Sequence, residues 1–186
     1  MAETALGHYA SALEYLVTAR QEMDRQRVLR DWYWRMPLEL ALTDLYLAQG
    51  DLTQAWSQAE QFLQVTLATA ERTWQALAWD AKARVALVTR DLGQAQVCIA
   101  QAVSTMEGFE VPTAAWHVHA TAAALSERTG NATALAHHRS LSRSTIVQLA
   151  QSLGAEERVR TTFLSAPRVR TVLGDTGSIL VSATGT

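Results

Sequence analysis

Hydrophobic residues recur every three or four positions along most of the chain, with polar residues between them. Leu38, Leu42 and Leu45 share one helical face before the first break in this pattern, and Ala55 and Ala59 share another after it. This period is typical of amphipathic helices that bury one apolar stripe. Runs of β-branched and aromatic residues, which favour strands, are missing. The pattern predicts an all-α protein.

A six-residue turn pattern occurs three times at equal distances. The copies occupy residues 50–55, 90–95 and 130–135, and a weaker copy covers 7–12. Their second positions, Asp51, Asp91 and Asn131, lie 40 residues apart and are good N-caps for a following helix. Gly50 and Gly130 can adopt the left-handed conformation that ends a helix. Each copy therefore predicts a tight turn between two helices, and together they predict an internal repeat.

The repeat spacing predicts one helical-repeat domain over residues 1–173. Its expected parts are a half repeat over 1–30 with a helix from Tyr9 to Val28, repeats over about 31–68, 70–106 and 112–153, and a cap over 155–173. Pro37 and Pro112 fall near predicted helix starts, where the missing N–H costs nothing. The small polar residues of 174–186 predict a disordered tail.

Composition and charge exclude several classes of function. Of the 186 residues 48% are hydrophobic and the formal net charge is −2, so we expect a globular domain without a positive field that attracts nucleic acid. Only the stretch from His137 to Leu173 is locally basic, with six arginines against two glutamates. The single cysteine, Cys98, can form no internal disulfide. Since long apolar runs and a signal peptide are missing, we expect a soluble, cytoplasmic protein.

The helix pairs and their turns resemble tetratricopeptide repeats, in which small residues of two helices pack around a Gly-Asp turn. The matching positions are Leu42, Tyr46, Gly50, Asp51 and Ala55 in the first repeat, Trp79, Ala83, Asp91, Ala95 and Ala102 in the second, and Ala123 and Gly130 in the third. The third repeat departs at Leu135 and Ser142, and the spacing of 40 exceeds the usual period of about 34. The resemblance implies an α-α superhelix of antiparallel helix pairs.

A narrower resemblance links three segments to the C-terminal region of large bacterial multidomain regulators. The segments are Trp-Tyr-Trp-Arg-Met-Pro-Leu at 32–38, Glu-Arg-Thr-Trp-Gln-Ala-Leu at 71–77 and the stretch 162–170. Such regulators carry an N-terminal kinase, cyclase or DNA-binding unit, a STAND-type ATPase module and a long repeat array as sensor. The resemblance implies that the chain is the last three or four repeats of such an array, and its opening in the second half of a repeat fits a truncation.

Residues with catalytic or metal-binding chemistry do not combine into a predicted site. Residues 175–178 read Asp-Thr-Gly-Ser, the aspartic-protease tetrapeptide, but that chemistry needs two carboxylates in a β-rich frame. His117 and His119 are two positions apart on one helix, and His137 and His138 are adjacent, so each pair should splay. A glycine-rich phosphate loop is also missing. We therefore expect no enzymatic activity, no metal and no cofactor.

The expected binding surface is the concave face lined by the first helix of each pair. Its predicted residues are Leu40, Asp44, Leu47, Asp80, Arg84, Leu87, His117 and Arg128. Such a mixed surface suits a peptide or helix that makes both apolar and charged contacts. Trp32 and Trp34 lie two residues apart and cannot both face one core, so they predict an aromatic contact patch.

The leading hypothesis is a non-enzymatic scaffold for protein–protein interaction, at the sensor or regulatory end of a larger bacterial signalling or transcription regulator. One alternative is a domain that binds a small effector in a pocket among Trp74, Trp79, Trp116 and His117. Another is nucleic-acid contact through the arginines after His137, against which the net charge argues. The half repeat should leave an apolar helix face uncovered, which predicts a homodimer through the N-terminal end. A membrane partner is not expected.

Overall fold

The computed structural model describes residues 6–26, 31–154 and 156–174. Every regular element within these residues is an α-helix, which confirms the all-α prediction. The helices are α1 (Tyr9–Arg25), α2 (Asp31–Gln49), α3 (Leu52–Leu67), α4 (Arg72–Val88), α5 (Leu92–Met106), α6 (Pro112–Arg128), α7 (Ala132–Ser152), α8 (Glu157–Ser165) and α9 (Pro167–Leu173). In this part of the chain, none of them combines the length and the apolar character that a membrane crossing requires.

The chain divides into two compact units, Met1–Phe109 with α1 to α5 and Glu110–Thr186 with α6 to α9. The division falls in the loop that the sequence places between the second and third repeats. Pro112 is the first residue of α6, as expected, whereas Pro37 lies inside α2. The predicted tail beyond Gly174, with its Asp-Thr-Gly-Ser tetrapeptide, lies outside the described residues.

Short turns with one set of hydrogen bonds join α2 to α3, α4 to α5 and α6 to α7. In the first turn the N–H of Gly50 donates to the carbonyl of Leu47, and the N–H of Asp51 donates to the carbonyl of Tyr46, both at 3.1 Å. These two bonds define a Schellman motif. Asp51 also caps α3, because its Oδ1 accepts from the N–H of Gln54 at 3.0 Å. The same bonds recur at Arg90 and Asp91 and at Gly130 and Asn131.

Arg90 adopts a backbone conformation that normally requires glycine. It stands where the other two turns have Gly50 and Gly130, and its φ of 63° matches their 75° and 71°. Among the described residues it is the only residue other than glycine with a positive φ. A side chain in this region costs roughly 1–2 kcal/mol, because its Cβ approaches the following carbonyl oxygen. The packing of α4 against α5 therefore imposes the turn on an unfavourable residue.

Arg90→Gly should raise the free energy of unfolding by about 0.5–1 kcal/mol, because relief of this strain exceeds the entropy that glycine adds to the unfolded chain. Urea denaturation followed by circular dichroism measures the change. Gly130→Ala is the matched opposite, since an added Cβ there meets nothing within 4 Å and only the backbone is strained. It should lower stability by about 1 kcal/mol. Changes of the same sign in both variants would contradict this account.

In the first unit the packing order sets α2 beside α4. α1 packs on α2, α3 packs on both α2 and α4, α5 packs on α4, and α2 also contacts α4. Small residues allow the close crossing, because Ala55 and Ala59 of α3 are fully buried against Val85 of α4. Tyr46 and Leu47 of α2 pack on the same cluster. One side of α2 therefore packs against the core of this unit.

Apolar and polar contacts both hold α1 in place, since Ala12 is buried, Leu13, Leu16 and Val17 are half-buried, and polar groups reach the neighbouring helices. The carboxylate of Glu39 on α2 is fully buried and accepts hydrogen bonds from Arg35 on the same helix and from Gln58 on α3. Arg20 of α1 donates to Oε1 of Gln58 at 3.1 Å and lies 3.8 Å from Glu39. Glu39 thus joins three helices, and it needs these partners because an unpaired buried carboxylate is strongly destabilising.

Glu39→Gln should lower the free energy of unfolding by roughly 3 kcal/mol, because Arg20 and Arg35 lose the buried anion that both approach. Chemical denaturation measures the loss. Glu127→Gln is the control, because Glu127 pairs with Arg139 at 2.8 Å where both side chains are at least half exposed. It should cost less than about 1 kcal/mol. Equal losses in the two variants would show that burial of Glu39 is not the cause.

The second unit is a helix pair closed by two short helices. Its core contains Trp116, Ile146, Ala150, Leu164, Val169 and Leu173. α8 and α9 supply the last three of these residues, and they lie where the sequence predicts a cap. Ser142, at which the third repeat departs from the tetratricopeptide pattern, is fully buried, and its Oγ donates to the carbonyl of Trp116 at 2.8 Å. This bond explains why a polar side chain is tolerated between α6 and α7.

Candidate functional site

One face of α2 carries a row of exposed and half-buried side chains, whereas seven residues on its other faces are buried. Tyr33, Pro37, Leu40, Asp44 and Leu47 follow each other at steps of four and three residues, so they form one stripe along the helix. Tyr33 and Pro37 are exposed and the other three are half-buried. The fully buried residues of α2, on its other faces, are Met36, Leu38, Glu39, Ala41, Leu42, Thr43 and Leu45. We call the five accessible residues the α2 stripe.

A charged bridge joins the α2 stripe to α4. The Arg84 guanidinium donates through Nη1 to Asp44 and through Nε to Oδ2 of Asp80, the latter at 3.0 Å. Burial by itself would lower the pKa of Arg84, but the two carboxylates outweigh it and raise the pKa above its usual value. Arg84 therefore stays charged and holds Asp44 in a set position on the stripe.

The same bridge shows the register of the two helices. Asp44 and Arg84 are 40 residues apart, which is the spacing of the turn pattern. Equivalent positions of successive repeats therefore lie opposite each other on α2 and α4. This register places Asp44 against Arg84, and Arg84 also pairs with Asp80 one turn earlier on α4.

The remaining predicted groove residues differ in what they can contact. Leu40 and Leu47 are half-buried on the α2 stripe. Asp80 is 1% exposed and Leu87 is 5% exposed, so direct contact with a partner is not available to either side chain. Their role is internal, because Asp80 holds Arg84 and Leu87 completes the packing of α4.

Two predicted groove residues lie in the second unit. His117 is half-buried with its ring against Trp116, at 3.5 Å between ring centroids. Arg128 is exposed in the last turn of α6. At the positions 40 residues after Asp80 and Arg84 this unit has Ala120 and Ala124, which carry no charge and cannot repeat the bridge.

The exposed aromatic group at the start of α2 consists of Tyr33 and Trp34. They are 53% and 62% exposed, and their rings meet edge to face at 5.4 Å. The side chain of Trp32, the other member of the predicted patch, lies outside the described part of the chain. The predicted patch did not include Tyr33. Its position one helical turn before Pro37 places it on the same face of α2, which could have identified it. Pro37 has no N–H to donate to the Tyr33 carbonyl, so the helix loses one hydrogen bond at this place.

The other tryptophans of the first unit have internal partners. Lys82, the only lysine of the chain, is 7% exposed and lies over the rings of Trp56 and Trp79 at 5.0 and 5.6 Å. Its ammonium group also pairs with Glu60. Trp74 packs edge-on against a buried phenylalanine of α3 at 6.4 Å. Trp74 and Trp79, two of the four residues of the predicted effector pocket, thus each contact another residue of the first unit.

Most arginines of the basic C-terminal stretch also have internal partners. Arg139 pairs with Glu127, Arg143 donates to the carbonyl of Val172 at the end of α9, Arg160 pairs with Glu157, and Arg168 lies over the ring of Trp116. Arg158 and Arg170 are exposed, and no ion pair joins them to another described residue. Among the described residues, Arg139 and Arg160 pair with carboxylates, whereas Arg143 and Arg168 keep their positive charge, because a carbonyl and an aromatic ring do not neutralise it.

Comparison of the chain with protein-family models, with curated protein sequences and with solved structures gives no match. The likeness to tetratricopeptide repeats therefore rests on the turns and packing of this chain itself.

Arg84→Lys should lower the free energy of unfolding by about 2 kcal/mol, because an ammonium group cannot replace the planar guanidinium that holds Asp44 and Asp80 together. Arg139→Lys at the exposed pair with Glu127 is the control and should cost less than about 0.5 kcal/mol. Chemical denaturation of both variants measures the difference. An Arg84→Lys variant as stable as its control would contradict the bridging role.

Proposed function

We propose that the chain is a non-enzymatic module for protein–protein interaction and that a partner segment docks along the α2 stripe. The observation that carries the proposal is the row of exposed and half-buried side chains along one face of α2 from Tyr33 to Leu47, with the exposed ring of Trp34 beside its first residue. Elsewhere in the first unit, exposed large apolar residues such as Val97 stand on separate helices. Aromatic residues at such a surface often dominate the binding energy of an interface.

The chemistry of the stripe favours an amphipathic partner. Leu40 and Leu47 are seven residues apart, which places them roughly 10 Å apart along the helix axis. Asp44 lies between them and offers a carboxylate that Arg84 already orients. Apolar contacts on both sides of one charged group suit a helix or an extended peptide with apolar residues around a hydrogen-bond donor.

A tetratricopeptide-like superhelix is the architecture that we propose for the array. It is supported by three turns with the same Schellman bonds at a spacing of 40 residues and by the side-by-side packing of α2 and α4. In such an array the first helix of each pair lines the binding face. A place at the sensor end of a bacterial signalling or transcription regulator follows from the resemblance alone, and the cytoplasmic location stays a prediction.

A homodimer through the N-terminal end also stays a prediction. Leu6 and Tyr15 support it, because they are 67% and 69% exposed. The rest of the outward face of α1 is more polar than the sequence suggests, since Ser11, Glu14 and Thr18 are all exposed there. Light scattering at high protein concentration distinguishes a dimer from a monomer.

A displayed library of randomised peptides, selected on the purified chain, should yield binders that depend on the stripe. Replacing Tyr33 and Trp34 together by serine should weaken each selected peptide at least about tenfold, because the exposed aromatic contact is lost. Fluorescence anisotropy of labelled peptides measures the affinity.

Val97→Ser is the matched control, because Val97 is 54% exposed on α5 and lies outside the stripe. It should leave peptide affinity unchanged. Peptides that bind the stripe variant and the control equally well would overturn the assignment of the stripe, and a library that yields no binder would count against the function itself.

A second candidate function is binding of a small effector. A cavity of about 440 Å³ in the second unit favours it, between the start of α6 and the C-terminal half of α7. Val111 and Pro112 line one side of this cavity, and Thr145, Gln148 and Leu149 line the other. Large thermal shifts with metabolites, together with no selected peptides, would favour this candidate over protein binding.

A further inference from the structure

Two histidines from different helices face each other in the second unit. His119 on α6 and His138 on α7 have their Nδ1 atoms 3.2 Å apart. Their ring planes differ by 23°, and the ring centroids are 5.3 Å apart. The distance between the centroids exceeds the distance between the nitrogens. The excess is close to the sum of the two centroid-to-nitrogen distances, which is the value for nitrogens that lie between the two centroids. The two nitrogens therefore point towards each other in nearly one plane.

Burial disfavours the charged form of both rings. Burial, followed by the nearby rings of His138 and His137, lowers the pKa of His119 to about 4. Burial and then His137 also lower the pKa of His138. In the metal-free protein one Nδ1 carries the hydrogen and donates a hydrogen bond to the other Nδ1. A neutral imidazole nitrogen is also the form that binds a metal ion.

We propose that His119 and His138 bind a divalent transition-metal ion through their Nδ1 atoms. Two nitrogens bound to one tetrahedral zinc ion at about 2.0–2.1 Å are roughly 3.3–3.4 Å apart, close to the separation of this pair. Because the two nitrogens point towards each other in the metal-free protein, each ring must turn by roughly 35° to direct its lone pair at one tetrahedral ion. The ring that carries the Nδ1 proton transfers it to its Nε2 through solvent, so both rings stay neutral and no net proton is released.

The donor set decides which ions fit. Imidazole nitrogens suit zinc, nickel and copper, whereas magnesium and calcium prefer oxygen ligands. His137 is not part of the site, because adjacent residues of a helix point in different directions and its ring is tilted by 60° from that of His138. Among the described residues, no group of three His, Cys, Asp or Glu side chains could hold a metal ion. The ion therefore keeps open positions for water or for a ligand from another molecule.

This site differs from the sequence prediction of no metal. That prediction considered His117 with His119 and His137 with His138, which are pairs within one helix. The effective pair comes from different helices, 19 residues apart, and forms only because α6 and α7 pack together. The inference does not depend on the proposed protein-binding function.

Isothermal titration of the untagged, metal-free chain with zinc chloride or nickel chloride tests the proposal. One ion per chain should bind, and magnesium chloride should give no binding. His119→Gln and His138→Gln should each weaken binding at least about tenfold, because one of the two ligands is lost. His137→Gln is the matched control and should leave affinity within about threefold.

Thermal melts of the three variants establish that each one folds. Copper(II) bound to the chain should also show two nitrogen ligands by electron paramagnetic resonance, and fewer in either ligand variant. The proposal is overturned by absence of zinc and nickel binding, by binding that survives loss of both His119 and His138, or by a control variant that loses binding as strongly as they do.

Discussion

The buried carboxylate of Glu39 is the constraint on which the arrangement of the first three helices depends. A buried carboxylate needs hydrogen-bond donors, because it has lost its contact with water. The donors to Glu39 are Arg35 of α2 and Gln58 of α3, and Arg20 of α1 lies close by. These polar contacts, together with the buried Ala12 and the half-buried Leu16 of α1, fix how α1 lies on the unit. Glu39 also fixes the rotation of α2, because it faces its neighbours while the α2 stripe lies on another face of the helix.

Several charged side chains join helices to each other. Arg84 joins α2 to α4, Lys82 joins α4 to α3, and Arg168 lies over a core tryptophan of the second unit. Such buried or half-buried pairs specify which faces meet more than they add stability. Exposed aromatic and apolar groups, together with Asp44, carry the binding proposal. Asp44 is paired with Arg84 and is still half-exposed, so it belongs both to the contacts between helices and to the proposed binding surface.

The repeat imposes its geometry even where the local sequence resists it. Arg90 takes the left-handed turn that glycine takes in the other two copies, and Ser142 occupies a buried position usually given to a small apolar residue. In each case a neighbouring contact compensates, namely the Schellman bonds at Arg90 and the hydrogen bond of Ser142 to Trp116. Both positions show packing of a helix pair overriding residue preference.

The sequence alone determined the helical class, the three turns and the approximate bounds of the helix pairs, because capping and apolar periodicity are local properties. It also indicated the face of α2 that carries Leu40, Asp44 and Leu47. Only the tertiary structure decided that Asp80 is buried beneath Arg84 and that His119 meets His138. The physical reason is that side-chain burial and pairing between helices depend on crossing and register, which residues far apart in sequence set together.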